Sequence, residues 1–298
     1  MVVKKGRKMK RILLATDFSE RSDRAVRRAT LLAKTFGASL TLVHVVDDDR
    51  PRRAVEAEHQ AAEELLREQA RSLRDVDGLT CDSRVFFGDA FEGISRAARE
   101  ESADLLVIGP HRRQALKDVF VGTTAERTIR ASDRPVLMAN DVPAGPYRHA
   151  LVAVDMSDGS ADAVRALQRL GIADAIAVSA VHVFDAPGTG LLVRTHSSME
   201  QIKEYLAGEQ ERAAGELAAF LGNLGLDTVR TVTKRLETSV ANAICLAADE
   251  AAADLVVIGT RGRTGIAKVF LGSVAEETLR ISHRDVLAIP PCRGGAPE

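Results

Sequence analysis

Residues 104–130 read DLLVIGPHRRQALKDVFVGTTAERTIR, and residues 254–280 read DLVVIGTRGRTGIAKVFLGSVAEETLR, a constant 150 positions later. The parallel continues upstream. ILLATDFSERS from Ile12 faces ALVAVDMSDGS from Ala150, and LTLVHVVD from Leu40 faces SAVHVFD from Ser179. There the offset is 138, so the second copy carries about twelve extra residues in its middle. A period this long exceeds the roughly 20–50 residues of a solenoid unit. Each copy has the size of one ordinary domain. The chain therefore reads as a duplicated domain, with copies expected at 9–140 and 148–291.

Within each copy, short β-branched apolar runs alternate with long amphipathic stretches, as in a parallel sheet flanked by helices. The expected strands are Arg11–Thr16, Ser39–Val46, Arg84–Phe87, Leu105–Ile108 and Val136–Ala139 in the first copy. In the second they are Ala150–Val154, Ala177–Phe184, Val229–Arg235, Leu255–Ile258 and Val286–Ile289. LLVIG and LVVIG are apolar throughout, which suits central strands covered on both faces. Ala25, Ala29, Leu32, Ala33 and Phe36 form a helical apolar stripe, and Gly37 supplies its stop. Pro51–Asp75 reads as a long charged helix with Leu65, Leu66 and Leu73 inward, and Ser197–Gly222 is its counterpart. The segment APGTGLLVRTH before that counterpart holds most of the extra length, and Asn140–Tyr147, with Pro143, Gly145 and Pro146, reads as the linker. The fold class is α/β: two tandem doubly wound domains, each a five-stranded parallel sheet with four helices. In such sheets ligands bind beyond the carboxyl ends of the strands.

Composition narrows the function. The 298 residues are 45% hydrophobic and 28% charged, with a net charge of −1. These are the proportions of a soluble globular protein, and the balance gives no bulk attraction to nucleic acid or an anionic membrane. The basic start KKGRKMKR reads as a frayed arm and the tail RGGAPE as disordered. No apolar run reaches the ~20 residues of a membrane span, and no signal-peptide core follows the basic start. Cys81, Cys245 and Cys292 lack CxxC spacing, which fits a reducing cytoplasm rather than a disulfide frame or zinc site.

The informative residues sit just after the strands. In the second copy the first strand ends Val154-Asp155, followed by Met156 and Ser157. The fourth runs through Ile258 into Gly259-Thr260-Arg261-Gly262. Nine residues later Gly272-Ser273 opens a helix beginning VAEETLR. Glycines let backbone N–H groups approach an anion, and a helix N-terminus adds unpaired donors and partial positive charge. The result is a two-part phosphate cradle beneath a basic loop with Arg261, Arg263 and Lys268; without GxxxxGK[ST] it is not a P-loop. A plainer reading also exists. Ser273 with Glu276, and Thr123 with Glu126, have the S/T-x-x-E spacing of a capping box, and Gly259 and Gly109 could serve turns alone.

Gly, two residues, Gly, nine residues, Gly-Ser resembles the nucleotide-binding signature of universal stress proteins. The strands ending VDMSDGS and VHVFD resemble that family at the matching places. The resemblance covers about Met9 to Pro291 as a tandem pair. It implies an adenine nucleotide, ATP above all, with Mg²⁺ held by phosphate and water. Asp155 would lie by adenine and ribose, with the Ala153 and Val154 backbone beside the ring and Val183 touching adenine through its main chain. Ile258, Gly259, Arg261 and Gly262 would line the ribose and phosphates. Gly272, Ser273, Val274 and Ala275 would offer N–H groups, with the Ser273 hydroxyl. In the first copy the matching residues are Asp17, Val45, Gly109, His111, Arg112, Gly122, Thr123 and Thr124, followed by Ala125. That copy departs from the pattern, since Arg112 replaces the second glycine and Pro110 has no N–H. The terminal strands PVLMA and DVLAI would pair the copies into an intrachain pseudo-dimer, and a further homodimer is compatible.

His44 and His182 recur at matching strand ends and read as structural, Asp89 as a helix cap, Cys245 as packing, and Asp104 and Asp254 as turn residues. No set resembles a poised nucleophile and base. Three functions compete: a cytoplasmic regulatory adenine-nucleotide binder with an unidentified protein partner, an ATP-using α-hydrolase-like enzyme, or a scaffold without nucleotide. The enzyme reading lacks its SGGxDS-like loop, since ATDFSERS and AVDMSDGS stand there.

Overall fold

The structure is a computed structural model and describes residues 9–110, 123–195, 197–226, 228–262 and 271–292. The expectations for the basic arm, the tail, His111, Arg112, Gly122, Arg263 and Lys268 lie outside the described residues, apart from Met9 to Arg11 of the arm.

The first half runs β1 (Arg11–Ala15), α1 (Glu20–Phe36), β2 (Ser39–Val46), α2 (Arg52–Asp75), β3 (Cys81–Phe87), α3 (Ala90–Glu100), β4 (Leu105–Ile108), α4 (Thr124–Ala131) and β5 (Val136–Met138). The second runs β6 (His149–Ala153), α5 (Asp158–Leu170), α6 (Ile172–Ala175), β7 (Ala177–Phe184), α7 (Thr189–Arg194), α8 (Met199–Gly222), β8 (Arg230–Arg235), α9 (Val240–Glu250), β9 (Leu255–Gly259), α10 (Ser273–Ile281) and β10 (Asp285–Ile289). The second half thus carries two short helices, α6 and α7, beyond the expected four. Six residues of the extra segment coil into α7. β3 begins three residues before its expected start. Its pattern of alternating exposure and charge belongs to an edge strand with one wet face and lacks the continuous apolar run of a central strand.

The ten strands among the described residues join one sheet in the order β3-β2-β1-β4-β5-β10-β9-β6-β7-β8. Every neighbouring pair is parallel except β5 with β10, which meet antiparallel with Leu137 opposite Leu287. The two halves therefore form an intrachain pseudo-dimer about that seam. Strand alternation sends Ile12, Leu14, Leu137 and Leu287 to one face, where α1, α2, α5 and α8 cover them. Leu13, Leu106, Val136 and Val286 face α3, α4, α9 and α10 on the other. Fully burying each such side chain contributes about 1.5–3 kcal/mol.

Helix α1 buries Ala25, Ala29, Leu32 and Ala33 and ends at Gly37 with φ 65°, the left-handed stop expected there. In α2 the buried stripe is Ala62, Leu66, Ala70 and Leu73. Leu65, expected inward, is 46% exposed, because at 3.6 residues per turn it lies about 100° from that stripe. No helix among the described residues is long and apolar enough to cross a membrane.

The linker is strapped to both halves. Asn140 Nδ2 donates to the carbonyls of Ser282 and Arg284, and Arg24 donates to the Asn140 carbonyl at 2.7 Å. Beneath it lies a buried cluster. Arg28 Nε of α1 meets Asp285 Oδ2 of β10 at 2.7 Å, with side chains 5% and 0% exposed. Tyr147 OH donates to the same oxygen at 2.6 Å, the Asp141 N–H donates to Oδ1 at 2.9 Å, and the Arg28 guanidinium stacks 3.9 Å above the Tyr147 ring. Burial pushes the Asp285 carboxyl up against the opposing pull of Arg28, Tyr147 and the Asp141 N–H. Burial, then the Asp285 charge, pushes the Tyr147 phenol well up.

Candidate functional site

In the second half the strand order reverses between β6 and β9, and the candidate residues gather beyond their carboxyl ends. The turn after β6 is fixed by Asp155. Its Oδ1 accepts the Ser157 N–H at 3.1 Å, the Ser157 hydroxyl at 2.5 Å and the Ser160 hydroxyl, while its own N–H donates to Ser160 Oγ at 2.9 Å. Ser157 caps α5 by accepting the Ser160 N–H. Between them Met156 adopts φ 60°, a conformation that costs an L-residue roughly 1–2 kcal/mol. Phe18 holds the matching place in the first half at φ 58°. Such paired strain marks a turn the surrounding structure enforces. Nothing in the residue types signals it.

The loop after β9 packs onto that turn. A Cβ on Gly259 would stand 2.6 Å from the Gly159 carbonyl oxygen, and one on Gly159 would stand 2.0 Å from the Arg261 carbonyl oxygen. A Cβ on Gly262 would meet Asp155 Oδ2 at 2.8 Å. Nothing in the sequence singles out Gly159: its place in VDMSDGS marks only a helix start, and its role depends on a loop one hundred residues away.

The two glycine clusters are tied by a hydrogen bond from the Gly272 N–H to the Thr260 carbonyl at 2.9 Å. This corrects two expectations. Gly272 does not hold its N–H ready for an anion, because Thr260 has it. Nor does Ser273 form a capping box with Glu276. The helix starts one residue earlier than that box requires, so Gly272 is the N-cap, has no side-chain cap bond, and accepts the Glu276 N–H. Ser273, Val274 and Ala275 are then the first three helical residues, and their N–H groups have no backbone partner among the described residues.

Ala153 and Val183 stand at the ends of neighbouring strands, partly buried over the same core as Ile258. At Val154, also expected beside the ring, the N–H donates to the Val181 carbonyl, and the carbonyl faces His182 Nδ1 at 2.7 Å. Its backbone is therefore engaged within the sheet. His44 makes the same contact with the Thr16 carbonyl at 2.8 Å, so both histidines lock strand ends together.

In the first half, Asp17 Oδ1 accepts from the Ser19 N–H, the Ser19 hydroxyl and the Ser22 hydroxyl. Burial raises the Asp17 carboxyl, but the Ser19 and Ser22 hydrogen bonds outweigh it and hold the group below its usual range. A Cβ on Gly109 would lie 3.0 Å from the Arg21 carbonyl oxygen, a looser version of the Gly259–Gly159 approach. Thr123 caps α4 in a full capping box with Glu126, so Thr124 is the first helical residue. Val45 packs its side chain toward Gly93 of α3, in the core beneath the site. Asp89 caps α3 through the Phe91 N–H. Asp104 accepts the N–H groups of Lys10 and Arg11, and Asp254 those of Arg148 and His149, so both pin the start of a first strand.

The family sequence profile described as universal stress protein matches residues 8–140 and again 146–290. The chain belongs to the universal stress protein family. A universal stress protein of Mycolicibacterium smegmatis is 27% identical, with 94% of this chain and 97% of that protein covered, so the tandem arrangement is common to both. Universal stress protein MJ0531 of Methanocaldococcus jannaschii is 33% identical over 144 residues, 48% of this chain and 82% of its own length. The crystal structure of a universal stress protein from Archaeoglobus fulgidus superposes with a TM-score of 0.70, covering 95% of this chain and 97% of that one. At 19% identity that likeness is one of fold. The two halves are accordingly two universal stress protein domains.

Proposed function

We propose that this tandem universal stress protein binds an adenine nucleotide, ATP with Mg²⁺, in its second domain, and that it acts in the stress response as a regulatory binder rather than an enzyme. The observation that carries this reading is the convergence of Gly159, Gly259, Gly262 and Gly272, two of whose Cβ positions are barred by backbone, beside the N-terminus of α10, whose first N–H groups have no backbone partner among the described residues. Glycine at these positions lets the loop after β9 close onto the turn after β6 and keeps main chain rather than side chain there. Phosphates would take the N–H groups of Ser273, Val274 and Ala275 and the Ser273 hydroxyl, where the helix dipole favours negative charge. The Gly259–Gly262 loop, with Arg261, would line the ribose and phosphates. Asp155 would lie by the ribose, with Ala153 and Val183 against the base. The cation would be held by phosphate oxygens and water.

The regulatory reading is supported by how the polar groups near the cradle are used. Asp155 holds its own turn through Ser157 and Ser160, and His182 holds Val154, so these groups position the site. The test is the nucleotide released on denaturing the freshly purified protein, followed by titration of the emptied chain with Mg²⁺-ATP and measurement of phosphate release. Bound adenine nucleotide with negligible turnover supports the reading. An empty chain that takes up no Mg²⁺-ATP leaves a scaffold, and rapid phosphate release makes it an ATPase.

A further inference from the structure

The seam between the domains is built on one strand motif used twice. PVLMA at 135–139 and DVLAI at 285–289 stand 150 positions apart. Each follows the same turn, in which the hydroxyl of Ser132 or Ser282 donates to the carbonyl of Arg134 or Arg284 and accepts the N–H of that residue. The strands cross about Leu137 opposite Leu287, and two copies of either strand could make the same antiparallel pair about that two-fold. The side chains over the seam are not alike. Arg28 of α1 has Ala166 of α5 as its counterpart, Asp285 has Pro135, and Tyr147 has Met9. On one side of the two-fold Arg28, Asp285 and Tyr147 form the buried cluster, with Arg28 Nη1 also donating to the Gly145 carbonyl at 2.9 Å. On the other side stand Ala166 and Met9, each 1% exposed, and Pro135. Those three carry no charge, so an ion pair is not a requirement for closing the seam.

We infer that Arg28, Asp285 and Tyr147 select the partner across the seam: they make domain one fit domain two and bar either domain from pairing with its own kind. Two copies of domain one would each bury Arg28 against Pro135 and Met9 of the other, with no carboxylate to meet it. Two copies of domain two would each keep Asp285 on Tyr147 but set it against Ala166. Either like pair strands two buried charges, one on each side of its two-fold, and a buried charge stripped of its partner is strongly destabilising. The mixed pair strands none, since its guanidinium and its carboxylate meet at 2.7 Å. A buried ion pair adds little net stability over apolar packing, and its best-attested use is to exclude wrong pairings. Exclusion requires the two charges to sit on different domains. Had the carboxylate stood at position 135, domain one would be complementary to itself.

The test moves the arginine to the other domain of the full-length chain. Arg28→Ala with Ala166→Arg leaves composition and net charge unchanged but makes domain two self-complementary, because each of two copies would set an arginine at position 166 against Asp285 and Tyr147 of the other. Wild type and variant are refolded from urea at about 0.01 to about 1 mM chain, the upper end matching the effective concentration that a short linker gives tethered partners. Their masses are read by light scattering. The wild type is expected to keep one mass throughout. In the variant, a species of twice the wild-type mass is expected to be at least about tenfold more abundant than in the wild type at the highest concentration. A second comparison covers a variant too unstable to refold. Arg28→Met, Asp285→Ala and Tyr147→Phe together remove the whole cluster, and this triple variant is expected to unfold at a higher urea concentration than Arg28→Met alone, because it strands no charge. A moved arginine that leaves the mass at the wild-type value at every concentration overturns the proposal. So does a triple variant that unfolds with or before Arg28→Met, since the cluster would then serve cohesion and not selection.

Discussion

Gly159 and Gly259 meet backbone to backbone, and neither leaves room for a side chain. The Gly159 carbonyl oxygen lies 2.6 Å from where a Gly259 Cβ would be, and the Arg261 carbonyl oxygen 2.0 Å from where a Gly159 Cβ would be. Each obstructing atom is main chain, so relief requires the whole loop to shift. Gly159→Ala is therefore expected to destabilise the chain by about 1–3 kcal/mol, the usual cost of overpacking, and to weaken nucleotide binding with it. Gly145→Ala, which would meet nothing within 4 Å, should stay within about 0.5 kcal/mol of wild type. Urea denaturation of the two variants checks both.

Gly262 is a different case. Among the described residues its added Cβ would meet only Asp155 Oδ2, at 2.8 Å, a side-chain atom rather than main chain. Gly262→Val is expected to keep wild-type stability while weakening Mg²⁺-ATP binding at least about tenfold, or ~1.4 kcal/mol. Unchanged affinity would remove Gly262 from the cradle. Separating the two readouts distinguishes a glycine needed for packing from one needed for ligand access.

The fold was legible because duplication wrote each strand twice, and because runs such as LVVIG admit only burial on both faces. What escaped was set by contacts remote in sequence. The S-x-x-E string at Ser273 is a valid capping box by spacing, yet Gly272 is the N-cap and the helix starts at Ser273, with Gly272 held by the Thr260 carbonyl across the loop. At Thr123 the same spacing does form the full capping box. Leu65 was misplaced by one position around a helix whose true stripe includes two alanines, which carry little weight in a hydrophobic pattern. The left-handed Phe18 and Met156 were invisible, since their residue types are poor company for that conformation.

The buried Arg28–Asp285 pair crosses between the two domains, and removing one partner strands the other. Arg28→Met is expected to destabilise the chain by about 3–5 kcal/mol. Burial already raises the folded Asp285 carboxyl above its unfolded value. For a raised carboxyl, the contribution to stability is present below the unfolded pKa and is lost as pH rises through the folded one. Without Arg28 the folded value rises further, so the deficit of the variant should be larger at about pH 8 than at about pH 5. A deficit independent of pH would mean that lost packing, not the stranded charge, is responsible.

Tyr147 gives the same seam an alkaline limit. Its phenol is raised well above 10.0, first by burial and then by the Asp285 charge. The folded state thus keeps its proton where the unfolded state has lost it. Stability from this group is complete below the unfolded value and declines as pH rises above about 10 toward the folded one. Tyr147→Phe, which retains the ring under Arg28 and removes the titrating hydroxyl, should flatten that decline between about pH 9 and pH 11. It should also be less stable near neutral pH, because the hydrogen bond to Asp285 is gone.

The three cysteines provide an independent measure of how closed each part of the fold is. Cys81 is buried, and burial pushes its thiol up to about 11 despite the opposing Arg74 charge. Cys245 is partly covered and likewise pushed up to about 11, first by burial and then by Asp249 and Glu277. Cys292 is exposed beyond β10, its N–H donating to Asp162. Since the thiolate is the nucleophile, an aromatic disulfide reagent at about pH 8 should titrate one thiol quickly in the native chain and all three once it is unfolded. Cys292→Ser should abolish the fast phase. If the fast phase survived that change, a second thiol would be reached by local opening, and Cys81 and Cys245, which sit on opposite faces of the sheet, would show which face opens.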